Sequence, residues 1–577
     1  MKKILNLLNK KQLLFFYFFG AAVLLLSVLE VLTFSLIQPI IGFLSSNNSQ
    51  LNLNSTFITK IFPDEFLNSY LILFIFFFIF ALRSVVSIGI SYIRQSLNRS
   101  IDKDMSNKIY SQYIHKDYSF FLKKNSSSFI SNIIVEVDKF SYRLVDSLTF
   151  FIVDVVIVAT ITIYLLINYL IPSIILIVII TLFFFIFYFF YKNKFKKIGI
   201  ERSNADALKI SWLQKSFYSI QSIKLDNLEY FFKDKFEKEV NKSSESTFKM
   251  NFISELPRNL ADIILIIVGS SLLYALHFIA GIQKELFLSI IGLFILAMFR
   301  ILPSANRILY SFNSIKFHYQ TINNLEKLIN EGDNLNDNKK EKEIFLHPIK
   351  IKDSIKLENV SFSYDLDGVK KKILNNVNLE IKKNKIIGIC GKNGSGKSTL
   401  LNIITGLFET DIGSVKLDGN NIKDFKKLYQ HTIGYVTQKT YLTDDSVIEN
   451  IIFGKKREEY NQEQLDSVID IAQLKNIINQ LPNKENTLLG ERGAKLSGGQ
   501  QQRIGIARAL YKNPQIIIFD EATSALDSET QEKILLSTVF KKNSEKIIII
   551  VSHDKRVFKM CDEVYQVDQG KLTRLNV

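Results

Sequence analysis

The sequence predicts a multi-domain chain, with a six-helix transmembrane domain over residues 1–330, a linker over 331–354 and an α/β domain over 355–577. Three observations lead to this fold class. At 577 residues the chain is too long for one core. Apolar residues make up 47% of it, yet its charged residues are crowded into particular stretches. Beyond residue 354, short β-rich runs alternate with helical ones.

Six apolar stretches are long enough to cross a membrane, because about 30 Å of hydrocarbon needs roughly 20 helical residues. They cover residues 14–44, 69–93, 145–169, 171–191, 259–281 and 286–309. Basic segments precede the first span and follow the second and fourth, so the positive-inside rule places both termini and the α/β domain in the cytoplasm. The start of the chain has the basic head and apolar middle of a signal peptide. Apolar residues continue to about Leu44 without a small-x-small site, however, so we interpret this segment as the first span.

The formal net charge of +16 raises the question of nucleic acid as a partner. Many basic residues flank apolar runs, as in YKNKFKKIGIER at 191–202, which is typical of a cytoplasmic membrane border. We therefore expect no nucleic acid. Cys390 and Cys561 lie far apart in the sequence, which favours reduced thiols over a disulfide.

Two long polar excursions, at about 95–143 and 192–255, keep helical patterning and are expected to extend the membrane helices into the cytoplasm. Near their tips, the stretches at 117–138 and 223–236 carry aromatic side chains. These aromatics predict either short segments that dock on the α/β domain or two solvated helical hairpins.

A glycine-rich loop follows the predicted strand KIIGIC and opens an apolar helix. In this context G-x-x-x-x-G-K-S predicts a phosphate-binding loop. Its backbone N–H groups converge on phosphate, Lys397 reaches the β- and γ-phosphates, and Ser398 holds Mg²⁺. The expected ATP-binding residues of this loop are Gly391, Lys392, Asn393, Gly394, Ser395, Gly396, Lys397, Ser398 and Thr399.

A second motif, IIIFDEATSALD at 516–527, has the pattern of a buried strand that ends in two carboxylates. Asp520 is placed to bind Mg²⁺, and Glu521 to polarise an attacking water. By itself an Asp-Glu pair is more often a solvated strand end. After a phosphate-binding loop, it predicts the catalytic acidic pair of an ATPase.

Between these motifs, LSGGQQQRIGIARAL at 496–510 predicts another helix N-terminus suited to an anion. The chain already has one such terminus for its own nucleotide, so the second indicates a second molecule. Here the sequence resembles the ATP-binding cassette (ABC) superfamily, whose signature is LSGGQ and whose two cassettes enclose ATP. The resemblance implies that Ser497, Gly498, Gly499 and Gln500 bind ATP from the partner copy.

Other elements match the superfamily in order over residues 355–577. The resemblance implies that Tyr364 stacks on adenine, that Gln438 contacts Mg²⁺ and ATP, and that His553 reads the γ-phosphate. Six spans ahead of one cassette are similar to half-transporter exporters of the type IV kind. Because Glu521 and the signature occur in one chain, a homodimer would hold two competent ATP sites.

Four arginines fall in the cytoplasmic half of the predicted spans, where an uncompensated guanidinium costs roughly 2.5 kcal/mol or more at the membrane centre. They are Arg83, Arg258, Arg300 and Arg307. One interpretation is structural. It pairs Arg258 with Asp262 and Arg83 or Arg300 with Glu30 or Asp154, and it extends Arg307 to the interface. The other is an anionic ligand, since two copies would supply eight guanidiniums suited to pyrophosphate.

The segments LPRNLAD and LAMFRILPSANRI resemble PglK-type flippases of lipid-linked oligosaccharides, although Asp262 stands where those proteins commonly have Glu. The resemblance implies a homodimeric, ATP-driven flippase in a bacterial inner membrane, with a lipid-linked saccharide as cargo. An exporter of peptide, lipid or amphipathic drug remains the alternative. A chromosome-maintenance ATPase also carries the signature, but six spans argue against it, and a gated channel on the same scaffold has no distinctive support.

Overall fold

The computed structural model describes most of the chain. The described residues are 4, 6–45, 69–191, 193–279, 284–330, 349–366, 369–456, 459–523, 525–540 and 545–575. The chain divides into two compact units. Unit 1 comprises Met1–Lys116 and Lys123–Leu335, and unit 2 comprises Asp117–Leu122 and Asn336–Val577. Most of the predicted linker, residues 331–348, lies outside the described residues.

In its described part, the secondary-structure elements of unit 1 are helices. Its helices are α1 (Lys10–Ser45), α2 (Ser69–Ile114), α4 (Ser126–Ile130), α5 (Asp146–Asn168), α6 (Leu170–Tyr191), α7 (Lys194–Tyr218), α8 (Ile220–Leu225), α9 (Glu229–Ile279), α10 (Lys284–Phe317) and α11 (Tyr319–Asn330). The short α3 (Tyr118–Lys123) lies mainly in unit 2. Two π-type stretches, Ser131–Glu136 and Lys139–Val145, join α4 to α5, so the helix continues from Ser126 to Asn168.

Each of the predicted spans falls on a helix, apart from Tyr169, which follows the end of α5, and residues 280 and 281, which are not described. Within the described residues, four helical segments are long and apolar enough to cross a membrane: Lys10–Ile37, Leu71–Ile114, Ser126–Asn168 and Gly292–Phe317. The other two predicted spans coincide with α6 and the end of α9, where many side chains are not described. Helices α2, α7 and α9 also continue through the polar excursions, as predicted.

The apolar core of unit 1 forms where α1, α5 and α10 meet. Phe19 of α1, Ile157 and Ile161 of α5, and Leu293 and Ala297 of α10 are each at most 2% exposed. Lipid tails are as apolar as these side chains, so close packing, rather than the hydrophobic effect, holds membrane helices together. The small side chain of Ala297 permits such a close approach.

A polar cluster replaces this apolar packing in the polar excursions of unit 1. Lys139 donates to Glu136 at 3.1 Å and lies 2.9 Å from Asp206, while Lys209 lies 2.7 Å from Asp206. Ser243 donates to the same carboxylate at 2.7 Å. Burial by itself would raise the pKa of Asp206, but the two lysines and Ser243 outweigh it and lower this pKa to about 2.

Unit 2 contains two β-sheets. Its strands are β1 (Ser354–Leu366), β2 (Val369–Lys382), β3 (Ile386–Cys390), β4 (Ile412–Leu417), β5 (Asn420–Asn421), β6 (Ile433–Val436), β7 (Ile516–Asp520), β8 (Ile547–Val551), β9 (Glu563–Asp568) and β10 (Lys571–Leu575). An antiparallel sheet has the order β2-β1-β4-β5. In the larger sheet, β10-β9-β3-β8-β7-β6, every neighbouring pair is parallel except β10 with β9.

The helices of unit 2 connect these strands. They are α12 (Lys397–Ile404), α13 (Lys426–His431), α14 (Val447–Ile452), α15 (Gln462–Ile471), α16 (Lys475–Gln480), α17 (Gly498–Tyr511), α18 (Ser528–Phe540) and α19 (Lys555–Phe558). Strands β7 and β8 are unbroken apolar runs, except for Asp520, because both faces of a parallel sheet are covered. The parallel strands also end at the same edge, so the residues that follow them meet there.

Segment Asp117–Leu122 belongs to unit 2 although it lies between two helices of unit 1 in the sequence. Asp117 accepts a hydrogen bond from Lys426 at 2.8 Å, and the ring of Tyr118 stacks on Phe408 at 5.9 Å. The predicted docking of the first aromatic tip is therefore confirmed. Docking of the second tip, at 223–236, stays a prediction.

Candidate functional site

The glycine-rich loop joins β3 to α12, as the sequence predicts. Gly391, Gly394 and Gly396 have φ angles of 151°, 77° and 110°, which side chains other than glycine rarely adopt. A Cβ atom on Gly391 would lie 2.3 Å from the carbonyl oxygen of Val567. The loop can therefore adopt this backbone conformation only with glycine at these positions.

Lys397 folds back beneath this loop. Its Nζ donates to the carbonyl oxygens of Gly391 at 2.8 Å and Lys392 at 3.3 Å. The ammonium is thus held at the mouth of the loop at the start of α12, where the helix dipole favours negative charge. In the same loop, the buried Ser395 Oγ has no hydrogen-bond partner among the described residues. Both features fit a phosphate group.

The strand ends bring four of the predicted residues into one group. The Nζ of Lys397 lies 3.5 Å from Nε2 of His553, and that nitrogen lies 3.1 Å from Oε1 of Glu521. Gln438 donates its side-chain N–H to Oε2 of Glu521 at 2.7 Å. Glu521 has a φ of 50°, a left-handed conformation that directs the chain sharply away from β7.

Asp520 lies beside this group at the end of β7. Its Oδ2 accepts a hydrogen bond from the Tyr435 hydroxyl at 2.8 Å. Burial and the neighbouring charge of Glu521 raise the pKa of Asp520, although the Tyr435 hydrogen bond and Lys397 oppose the shift. Asp520, Ser398 and Gln438 offer only oxygen ligands for Mg²⁺, the ligand type that this ion prefers. The residues present therefore fit the ion.

The sequence analysis did not single out Tyr435, although it lies three residues before Gln438 in the stretch IGYVTQ at 433–438. Strand β6 is parallel to β7, with Tyr435 opposite Ile518. The Tyr435 side chain reaches Asp520 along the strand direction. Burial, Asp520 and Tyr118 raise its pKa, so the phenol remains a proton donor. Only the pairing of the two strands reveals this contact.

Tyr364 lies on β1, with its hydroxyl 3.3 Å from Oγ1 of Thr399 in the glycine-rich loop. The phenol ring is thus beside the start of α12, as the predicted role in stacking on adenine requires. The remaining loop residues, Lys392, Asn393 and Ser398, are exposed.

The signature segment begins α17, as the sequence predicts. Ser497 caps the helix by accepting from the N–H of Gln500 at 3.4 Å, and the Gln500 side chain accepts from the N–H of Ser497 at 2.9 Å. A Cβ atom on Gly498 would meet no atom within 4 Å, whereas one on Gly499 would lie 2.9 Å from the carbonyl of Ala525. The surface of Gly498 is therefore open to close approach by another molecule.

The membrane arginines form two separate ion groups in unit 1. Glu30, which is 2% exposed, accepts from Nε of Arg300 at 3.0 Å and also lies 2.9 Å from Nε of Arg83. Asp154, whose side chain is 1% exposed, accepts two hydrogen bonds from Arg307, at 2.9 Å and 2.6 Å.

The structural interpretation paired Arg83 or Arg300 with Glu30 or Asp154, and in the structure both of these arginines contact Glu30. The prediction that Arg307 only extends to the interface is wrong, because its guanidinium is in a bidentate pair with Asp154, although it remains 46% exposed. The side chains of Arg258 and Asp262 lie outside the described residues. Since two guanidiniums share the carboxylate of Glu30, that group keeps a net charge of +1.

Comparisons with known proteins found matches to both units of the chain. The family model for the ABC transporter transmembrane region matches residues 15–301, and the model for the ABC transporter matches residues 374–524. Together they cover more than half of the chain. A solved structure of a bacterial Atm1-family ABC exporter with ATP bound superposes with a TM-score of 0.77 over 98% of this chain and 95% of that one. At 19% identity, this similarity shows the fold alone.

Among curated relatives, the ATP-dependent lipid A-core flippase of Vibrio cholerae serotype O1 is 31% identical over 346 residues, or 59% of this chain and 56% of the relative. The ABC transporter B family member 24, mitochondrial, of Arabidopsis thaliana is 38% identical over 220 residues, which cover 38% of this chain and 32% of that protein. The chain therefore spans little more than half of the length of the flippase that it matches.

Proposed function

Because this chain belongs to the ABC transporter family, we propose that two copies of it form an ATP-driven exporter that moves a lipid-linked oligosaccharide or related glycolipid across the bacterial inner membrane. In this arrangement both termini and unit 2 are cytoplasmic, as the distribution of Lys and Arg predicts. The observation that carries the ATPase assignment is the contact series Lys397, His553, Glu521 and Gln438 at the strand ends.

These side chains have distinct roles in ATP hydrolysis. Glu521 accepts a hydrogen bond from the attacking water and orients it, while the Gln438 amide fixes the Glu521 carboxylate. Lys397 and His553 stabilise the negative charge that develops on the transferred phosphoryl oxygens. Mg²⁺, when bound to Ser398, Gln438 and Asp520, supplies further neutralisation of phosphate charge. The signature of the second copy, Ser497 to Gln500, then completes each ATP site.

The proposal for the cargo rests on Arg83, Arg300 and Glu30. Their group carries one positive charge more than its carboxylate neutralises, and Arg300 is 32% exposed. Such a charge among membrane helices usually faces a cavity or a ligand. An anionic headgroup, such as the pyrophosphate of a lipid-linked saccharide, fits it by charge and by bidentate geometry. The flippase relatives act on another glycolipid, lipid A-core, which is consistent with this substrate class.

ATP hydrolysis is tested with the purified chain in proteoliposomes. Lys397→Ala should abolish turnover because it removes the ammonium at the glycine-rich loop. Lys475→Ala is the matched control, since that lysine is 73% exposed and its ion pair with Asp470 is long, at 3.9 Å. Equal ATPase rates in the two variants would refute the assignment of this site.

The cargo is tested with Arg300→Gln. Glu30 keeps Arg83 as its partner in this variant, so the fold and the ATPase should be preserved while flipping of a lipid-pyrophosphate saccharide falls by at least about tenfold. Arg307→Gln serves as a contrast, because it leaves the buried Asp154 unpaired and should instead reduce stability. Unchanged flipping in Arg300→Gln would exclude this group as the cargo site.

An exporter of peptide, lipid or amphipathic drug is the second candidate function. Its ATP site would be the same, but the cargo would bind elsewhere in the membrane domain. ATPase stimulation by a panel of peptides and amphipathic drugs, without stimulation by a lipid-pyrophosphate saccharide, would favour it.

A further inference from the structure

Four aromatic rings form a continuous cluster next to the glycine-rich loop, all within unit 2. Phe408 stacks on Phe362, with the ring centroids 5.2 Å apart and the planes 2° from parallel. The ring of Tyr364 is nearly perpendicular to both, with its centroid 5.2 Å from that of Phe362 and 5.8 Å from that of Phe408. On the other side, Tyr118 stacks on Phe408 at 5.9 Å. The cluster therefore joins segment Asp117–Leu122 to Tyr364.

Phe408 is the centre of this cluster. It is 4% exposed and contacts three other rings, whereas Tyr118 is 43% exposed and touches the cluster from outside. The salt bridge between Asp117 and Lys426 at 2.8 Å fixes the residue next to Tyr118. Tyr118 thus has two anchors, a ring stack and a neighbouring ion pair.

The orientation of Tyr364 depends on these neighbours. The χ2 torsion of a tyrosine is broad, so its own rotamer preference fixes the ring poorly. Edge-to-face contacts favour one ring orientation because the positive edge of one ring meets the negative face of the other. With Phe362 and Phe408 in place, the Tyr364 hydroxyl lies 3.3 Å from Thr399 Oγ1 at the start of α12.

We propose that Phe408 is a positioning residue for recognition of the nucleotide base, and that Tyr118 strengthens this role by completing the ring stack on its outer side. This inference rests on the proposed function, in which Tyr364 stacks on adenine. Affinity for ATP then depends on whether segment Asp117–Leu122 occupies its site. By linkage, binding of the base stabilises Tyr118 on Phe408 by the same factor. The segment between two membrane helices is thereby coupled to the nucleotide through aromatic rings.

The test measures the steady-state ATPase of the full chain for two variants and two controls. Phe408→Leu keeps an apolar side chain but removes the ring, and should raise the KM for ATP about three- to tenfold. Tyr118→Ala should raise it about two- to threefold. The kcat should stay within about twofold in both, because the groups around Glu521 are untouched. Tyr118→Phe, which keeps the ring, and Leu122→Ala, at an exposed position of the same helix, should match the unaltered chain.

A second measurement separates positioning of the base from distortion of the loop. Inorganic tripolyphosphate binds the loop without a base, so its inhibition constant should be the same in Phe408→Leu, Tyr118→Ala and the unaltered chain. Weaker inhibition by tripolyphosphate in Tyr118→Ala would overturn the inference, as would a KM for ATP that stays within the error of the Leu122→Ala control. If Phe408→Leu fails to fold, Tyr118→Ala still tests the inference. Tyr118 is at an exposed position, so its replacement should leave the fold intact, and its KM for ATP can then support or overturn the inference. Absence of ATPase in the unaltered chain would instead contradict the proposed function.

Discussion

The molecule holds ionisable side chains in two different ways. At the strand ends of unit 2, Glu521 is 18% exposed and His553 is 52% exposed, and each is within reach of solvent or a ligand. Among the helices of unit 1, the carboxylates of Glu30 and Asp154 are almost fully buried against guanidiniums from other helices. The difference indicates that the first group can exchange partners during a reaction, whereas each carboxylate of the second is required for stability.

The largest expected effect is on the rate of ATP hydrolysis by unit 2. It tests whether Glu521 is required for catalysis and not for stability. Glu521→Gln should lower ATPase turnover at least about 100-fold, because a neutral amide accepts a weaker hydrogen bond from the attacking water than a carboxylate does and polarises it less. The midpoint of thermal unfolding should change little, since the Gln438 contact can be kept by the new amide oxygen. Circular dichroism and phosphate release measure the two quantities. A large drop in the unfolding midpoint would mean that Glu521, like Glu30 and Asp154, is required for stability, which would contradict the difference between the two regions.

The next effect concerns the membrane ion groups. Glu30→Gln should cost about 3 kcal/mol, because two guanidiniums then face each other without a counter-charge. Asp154→Asn should cost less, about 1 kcal/mol, since Arg307 is 46% exposed and can extend to the interface. Unfolding midpoints in a single detergent compare the variants. Equal midpoints for Glu30→Gln and the unaltered chain would remove the structural role of this group.

An effect smaller than that of Glu30→Gln, and dependent on pH, lies in the polar cluster of unit 1 around Asp206. The pKa of Asp206 is about 2 in the folded protein, below its ordinary 3.8, so its contribution is present above pH 3.8 and is lost as the pH falls towards 2. Allowing for screening by solvent, we expect about 1 to 2 kcal/mol. In Asp206→Asn, the free energy of unfolding should lack this part of the dependence on acid pH.

Unfolding followed from pH 5 to pH 2 measures that difference between the two proteins. Asp234→Asn is a suitable control, because the Asp234 side chain is 38% exposed and its partner Lys238 is 60% exposed, so little acid dependence is expected from that pair. The same acid dependence in Asp206→Asn and the unaltered chain would show that the cluster does not contribute in this way.

Much of the fold was predictable from local sequence. Long apolar runs locate the helices of unit 1, and the loop Gly391 to Thr399 must follow a strand and open a helix, as it does. The order of the parallel strands was not predictable, because β3, β7 and β8 are all largely apolar runs that could pair with one another in several orders. That order is what places Gln438, Asp520 and His553 at one edge.

The sequence by itself determined which residues carry charge and which can turn sharply, since side-chain chemistry and glycine φ angles are local properties. The partners of those residues were decided only by the tertiary structure. Arg307 pairs with Asp154, and Tyr118 reaches Phe408, across separations of 153 and 290 residues in the chain. Contacts of this kind depend on how helices and strands pack, and no local pattern encodes that packing.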